Sequence, residues 1–205
     1  MPPAVSVLGH DVDSITLSEA ADWLLARCAA GGPPGLLVTL NPEIIVQART
    51  DAALDGALKA AALTVADGIG VVWAARRAGH VLPGRVPGVD LVGHALERGG
   101  SGLRVFFLGA KPGVAERAAA AAHARWGTDI AGSRHGYFDR RADAAEVSAE
   151  IAASGAQLLL AGLGEGQELF LHEHLAETGV AVAVGVGGTL DVLAGEAERT
   201  PGWTR

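Results

Sequence analysis

A single cysteine, Cys28, excludes an internal disulfide and any cysteine-based metal cluster. Aromatic residues are only 4% of the chain, so its 49% of hydrophobic residues must build a core from Ala, Val and Leu with close backbone packing. Positive charge is also scarce, with 16 Lys and Arg against 23 Asp and Glu and a formal charge of −7. Nucleic-acid binding needs a dense basic patch that displaces phosphate counterions, and this balance argues against it. The same deficit argues against strong electrostatic adhesion of this stretch to anionic lipid. Long apolar runs are missing too, since none approaches the roughly 20 residues of a membrane span. The N-terminal Met1-Pro-Pro-Ala-Val5 lacks the charged and apolar regions of a signal peptide. A reducing cytoplasm and a chain that is soluble or at most peripheral to a membrane are the expectation.

What remains is a rhythm of short apolar runs and Ala-rich amphipathic stretches over 205 residues, enough for one domain or two small lobes sharing a core. Strands are expected at Val5–Leu8, Gly35–Leu40, Leu63–Ala66, Arg104–Leu108, Asp129–Ser133, Gln157–Ala161 and Val180–Val186. Thr16-Leu-Ser-Glu19 reads as a capping box opening a helix to Ala30. Asn41-Pro42 reads as an N-cap with proline at the first helical position, followed by helical periodicity to Ala62. Further helices run from Asp67-Gly68 to Gly79, from Asp90 to Gly99, and to Trp126, Ser154 and Thr178. Gly99-Gly-Ser-Gly102 is the one soft joint, dividing lobes of about 1–99 and 103–205. Alternating strands and helices with short turns imply a Rossmann-like α/β fold, a mostly parallel sheet with helices on both faces. Ligands bind such sheets beyond the carboxyl ends of the strands. Those ends hold Thr39-Leu-Asn41, Asp67-Gly68, Gly109–Gly113, Gly162–Gln167 and Gly185–Asp191, the polar and Gly-rich parts of the sequence.

Candidate chemistry follows from these ends. Asp67, after a buried strand, is a carboxylate at a pocket rim among apolar neighbours, which suits a general base. It is equally placed to cap the helix at Ile69–Arg77, and from spacing alone the cap is the commoner case. Thr39 and Asn41 can hold a sugar's hydroxyls, although Asn41 is also a natural cap before Pro42. Gly109-Ala-Lys-Pro-Gly113 is a strand–turn–helix loop whose amides can cradle phosphate, but it is neither a dinucleotide fingerprint nor a P-loop. Gly162-Leu-Gly-Glu-Gly-Gln-Glu168 offers flexible backbone with Gln167 and Glu168 at a helix start. Arg85, in Gly84-Arg-Val-Pro-Gly88, can present guanidinium to diphosphate. A solvated arginine is the more frequent case. His172-Glu-His174 has the wrong helical spacing for a zinc pair.

In order and spacing these segments resemble the WecG/TagA/CpsF glycosyltransferase family, also called glycosyltransferase family 26. They are Thr39-Leu-Asn-Pro-Glu43, Ala66-Asp-Gly-Ile-Gly70, Gly84-Arg-Val-Pro-Gly-Val-Asp90, Val105-Phe-Phe-Leu-Gly109 and Lys111-Pro-Gly-Val-Ala-Glu116. Gly136-Tyr-Phe138, Gly162–Glu168, Gly185-Val-Gly-Gly-Thr-Leu-Asp191 and Arg199-Thr-Pro201 complete the set. The resemblance implies a metal-independent, inverting transfer of N-acetylmannosamine or a related sugar, with no cofactor. The donor is a UDP-sugar, the acceptor undecaprenyl-diphosphate-linked N-acetylglucosamine, and the product a cell-surface polysaccharide or teichoic acid. It implies Asp67 as base with Thr39 beside it. Asn41, Arg85, Gly109, Gly164, Gln167, Glu168 and Gly187 line the substrate pocket. A place on the inner face of the cell membrane and possible self-association are further implications.

Two departures stand out. Glu165-Gly166 replace the family's usual Pro-Lys, which puts an anion where a cation would meet diphosphate. Family members also continue past an Arg-Ala-Pro-x-Trp segment with an Arg-rich helical tail, whereas this sequence ends at Arg205. The resemblance assigns diphosphate-binding arginines and a membrane contact to that tail. The expectation is therefore an enzyme active only when a basic tail completes its pocket, with a catalytically weak UDP-sugar-binding or assembly partner as the alternative.

Overall fold

A computed structural model of the chain describes residues 3–198. Its first element departs from the sequence reading. β1 (Ala4–Val7) and β2 (His10–Asp13) pair antiparallel, apart from the main sheet. Leu8 and Gly9 turn between them with φ of 53° and 93°, the left-handed pair that matches the twist of a two-residue hairpin. With Leu in the place usually taken by Asn or Asp, the turn leaves no mark in the sequence. The strand expected at Val5–Leu8 is thus one arm of a separate ribbon.

The main sheet contains β3 (Gly35–Leu40), β4 (Leu63–Ala66), β5 (Arg104–Gly109), β6 (Asp129–Arg134), β7 (Leu158–Gly162) and β8 (Val182–Gly185). Their order is β4-β3-β8-β7-β5-β6, and every neighbouring pair is parallel. β8 lies directly beside β3, so strands from both halves of the chain form one sheet. The helices are α1 (Leu17–Ala30), α2 (Pro42–Ala48), α3 (Ala52–Lys59), α4 (Ile69–Arg77) and α5 (Gly88–Gly99). They continue with α6 (Val114–Trp126), α7 (Ala144–Ser154), α8 (Gln167–Thr178) and α9 (Thr189–Leu193).

Side chains alternate between the two faces of each strand. Leu37, Phe107, Leu160 and Val184 pack with Leu24, Leu91, Leu96 and Ala118 of α1, α5 and α6. Leu36, Phe106, Leu159 and Ala183 pack with Ile45, Leu54, Val71, Val147 and Phe170 of α2, α3, α4, α7 and α8. With both faces covered, strands such as Leu158-Leu-Leu-Ala161 are apolar throughout instead of alternating. Fully burying each such leucine contributes roughly 1.5–3 kcal/mol. Right-handed crossovers set the division. Connections running toward β4 leave α3, α7 and α8 on one face, while those running toward β6 leave α5 and α6 on the other.

Local chemistry sets the ends. The Thr16–Glu19 capping box forms in both directions. The helix expected from Pro42 to Ala62 is broken in two, because Asp51 Oδ1 accepts from the amides of Ala53 and Leu54 at 3.0 Å each and starts α3 afresh. Gly100–Gly102 forms a short 3-10 turn at the joint between halves. β4 is an edge strand, and Asp13 Oδ2 accepts from Thr64 N–H at 2.8 Å, so the N-terminal ribbon satisfies an otherwise open edge donor. No helix among the described residues is long and apolar enough to cross a membrane.

Candidate active site

The carboxyl ends of β3, β4 and β8 open into a cleft of about 490 Å³. Thr39, Asn41, Asp67, Gln167 and Gly187 line it, together with Glu43, Gly188, Thr189, Asp191, Glu196 and Glu198. Five of the sequence-derived candidates therefore meet in one place.

Asp67 does not cap α4. Gly68 occupies the N-cap with φ 98° and no side-chain cap bond. Asp67 Oδ2 instead accepts from Gly88 N–H at 3.1 Å, at the first turn of α5. The positive end of that helix favours a carboxylate in this position. The loop before α5 is held to β4 a second time by Val86 N–H donating to Ala66 O at 2.7 Å. A Cβ placed on Gly88 would lie 3.6 Å from Thr39 Oγ1 and 3.7 Å from Asp67 Oδ2, in ordinary contact, so α5 begins directly over both side chains.

Thr39 is 7% exposed and donates from Oγ1 to Gly185 O at 3.2 Å, joining β3 to β8. Asn41 does cap α2. Its Oδ1 accepts from Glu43 N–H at 2.9 Å and Ile44 N–H at 3.0 Å, which leaves the amide nitrogen as the end with donors for a ligand. Arg85 lines none of the cavities described here, but its Nη1 is enclosed with no hydrogen-bond partner among the described residues. It is not the solvated surface arginine of the commoner case.

The second half contributes turns. β5 sends its chain toward β6 and β7 sends its chain toward β8, so winding reverses between them. There the backbones nearly touch, and a Cβ on Gly109 (φ 132°) would sit 2.4 Å from Gly162 O. Ala110 follows with φ 57°, a left-handed conformation rare for a residue with a side chain. A second cleft of about 310 Å³ lies over this gap, lined by Lys111, Tyr137, Gly162, Gly164, Gly187, Gly188 and Asp191 among others. Gly187, Gly188 and Asp191 also line the first cleft, so the two adjoin. Gly109 lines neither and acts by letting the strand ends close up. Arg140 grips the turn from outside, donating to Glu165 O at 2.6 Å and to Leu163 O.

Glu168 lies behind the first cleft and does not line it. It is 4% exposed, and burial raises its carboxyl above the ordinary range, opposed in part by a hydrogen bond from Gln167. Sequence reasoning passed over Glu43, Asp191, Glu196 and Glu198. Among the described residues lining the first cleft these and Asp67 are acidic and none is basic. Their position after strand ends was the available signal, at least for Glu43 and Asp191. Arg199-Thr-Pro201 and Trp203 lie outside the described residues. His174 of α8 has another use, since it bonds Glu177 at 2.8 Å and packs on Phe170.

A larger cavity, about 670 Å³, lies between α5, α6 and α9 and shares Val89 and Val192 with the first cleft. It lacks the strand-end turns, so the smaller, more polar cleft is taken as the site. Fold and rim together define a doubly wound α/β protein with a polar ligand cleft at the carboxyl edge of its sheet. A family model described as Glycosyl transferase WecG/TagA/CpsF family matches residues 5–205, and the chain belongs to that family. Its members are glycosyltransferases of cell-surface polysaccharide synthesis.

Proposed function

We propose that the chain is an inverting, metal-independent hexosyltransferase. It moves N-acetylmannosamine or a related sugar from UDP to undecaprenyl-diphosphate-linked N-acetylglucosamine, for a surface polysaccharide or teichoic acid. The observation that carries the reading is the Asp67 carboxylate, held by the first turn of α5 at a cleft that also presents Thr39, Asn41 and Gln167. In the transfer, Asp67 takes the proton of the attacking acceptor hydroxyl. The freed oxygen bonds to the anomeric carbon from the face opposite UDP, and the bond to UDP breaks with its electron pair going to the diphosphate. Thr39 helps hold the reacting groups and the amide of Asn41 holds a substrate oxygen, while Arg85, whose unpartnered Nη1 is enclosed away from the cleft, joins them only if the loop before α5 shifts on binding. Lys111 and the amides around Gly109, Gly164 and Gly187 face the departing diphosphate.

The acidic lining makes extra cations necessary for a diphosphate, which supports an enzyme completed by a basic C-terminal tail at the inner face of the cell membrane. The two halves of about 1–99 and 103–205 act as lobes of one domain in this reading, and self-association is part of it. The same acidic lining, with Glu165 on the glycine turn, favours a second reading as a catalytically weak UDP-sugar-binding or assembly partner.

The test is UDP release by the full natural reading frame, over a panel of UDP-sugars with and without the lipid-diphosphate acceptor. Acceptor-dependent release from UDP-N-acetylmannosamine, unchanged by EDTA and lost in Asp67→Asn, is expected. UDP binding without release from any donor would move the assignment to the second reading.

A further inference from the structure

We infer that Glu168 is a positioning residue for Gln167, fixing which end of that amide meets a ligand in the cleft. This rests on the reading of the first cleft as the sugar-nucleotide site. Gln167 is 6% exposed and is gripped at both ends. Its Oε1 accepts from Leu163 N–H at 3.2 Å, and its Nε2 donates to Glu168 Oε1 at 2.9 Å. The orientation follows from chemistry, because a backbone N–H can only donate and must face the amide oxygen. A carboxylate acceptor at Glu168 then has to face the nitrogen. One Nε2 hydrogen remains, with no acceptor among the described residues. Gln167 therefore enters the cleft as a donor and selects an oxygen-rich partner such as a sugar hydroxyl or a phosphate oxygen.

The surroundings are built for this pair. A Cβ on Gly185 would lie 2.9 Å from Glu168 Oε1 and 3.0 Å from Gln167 Nε2, so glycine there leaves both side-chain ends where they stand. The carbonyl of the same Gly185 accepts from Thr39. Glu168, Gln167, Gly185 and Thr39 thus form one connected set from the start of α8 to the end of β3. Glu168 is also placed at a cost, since burial disfavours its charged form. Packing alone would favour an apolar side chain in this position, and the carboxylate instead stands beside the amide to which it is bonded.

Glu168→Leu keeps the bulk and removes the acceptor, while Glu168→Gln keeps an acceptor oxygen. The readouts are the Gln167 side-chain amide in nitrogen-15 NMR spectra, its solvent exchange, and kcat/KM for UDP-sugar. The Gln167 amide signal is expected to be slow to exchange in the wild type and in Glu168→Gln, and fast in Glu168→Leu. Glu168→Leu is expected to melt no lower than the wild type yet to lose on the order of ten-fold in kcat/KM, the effect of one charge-assisted hydrogen bond. Glu168→Gln should recover most of that loss. A Gln167 amide equally protected in Glu168→Leu would overturn the inference. If no donor turns over in the wild type, the proposed reaction fails, and the amide signature still decides the role of Glu168.

Discussion

The two halves of the rim are built by opposite means. At β3 and β4 the strand ends present side chains, Thr39, Asn41 and Asp67. At β5, β7 and β8 they present glycines, with Gly109, Gly162 and Gly185 each leaving space that a Cβ would fill. In the proposed reaction the first arrangement would supply a base and groups that bind hydroxyls. The second supplies close-packed backbone, and in that reading the amides of the turns after it would meet the diphosphate. The proposed transfer, with one proton acceptor and one stabilised diphosphate, would divide between them.

The largest effect should come from the side-chain half. Asp67→Asn keeps an acceptor oxygen for the Gly88 amide, so the fold should hold while the base is lost. Turnover should fall by on the order of 10²–10⁴, with UDP affinity little changed. Steady-state kinetics beside calorimetric UDP binding would show it. A comparable fall in UDP affinity would mean that Asp67 binds the donor and is not the base.

Gly109→Ala should do the reverse. A methyl there meets the Gly162 backbone in a left-handed conformation, so neither neighbour can yield cheaply. The loss should be about 2–4 kcal/mol of stability, measured by urea unfolding. UDP affinity should fall with it, since the gap between β5 and β7 would open. A smaller effect is expected at Thr39, where the halves meet. Thr39→Val removes the hydrogen bond to Gly185 O and should cost about 1 kcal/mol. A kcat loss much larger than that stability change would place the hydroxyl on the reacting groups themselves.

The contrast also explains what was legible in the sequence. The sheet and its helices were, because fully apolar runs such as Leu158-Leu-Leu-Ala161 separated by amphipathic stretches admit few other readings. That Asp67, Thr39, Asn41, Gln167 and Gly187 share one cleft was legible because all five follow strand ends. The roles were harder to read. Asp67 fitted a helix cap equally well until Gly88, 21 positions along the chain, took its oxygen. Glu168 passed for a ligand contact because burial behind Gly185 is set by how β8 packs against α8. The hairpin of β1 and β2 was missed because Leu8 adopts a turn conformation its side chain does not advertise.

That hairpin supplies the smallest and most specific prediction, and it concerns the half that relies on side chains. Burial raises the Asp13 carboxyl above its ordinary value near 3.8, although its bond from Thr64 N–H partly offsets this. The folded chain then holds that proton more tightly than the unfolded chain. Stability should fall as pH climbs from about the ordinary value through the raised one, and stay lower above it. Burial lowers His10, in the same strand, below 6.5, so the unfolded chain holds that proton more tightly. Its contribution should grow as pH rises from the lowered value to 6.5. The two slopes oppose each other and leave a shallow minimum in stability between their windows. Asp13→Asn, which can still accept from Thr64 N–H, should remove the falling limb, and adding His10→Gln should remove the rising one. Urea midpoints measured against pH for wild type, Asp13→Asn and the double variant decide it. An unchanged falling limb in Asp13→Asn would assign that slope to the other raised carboxyl among the described residues, Glu168, and move this loss of stability with rising pH from the β4 edge to the glycine-turn side of the rim.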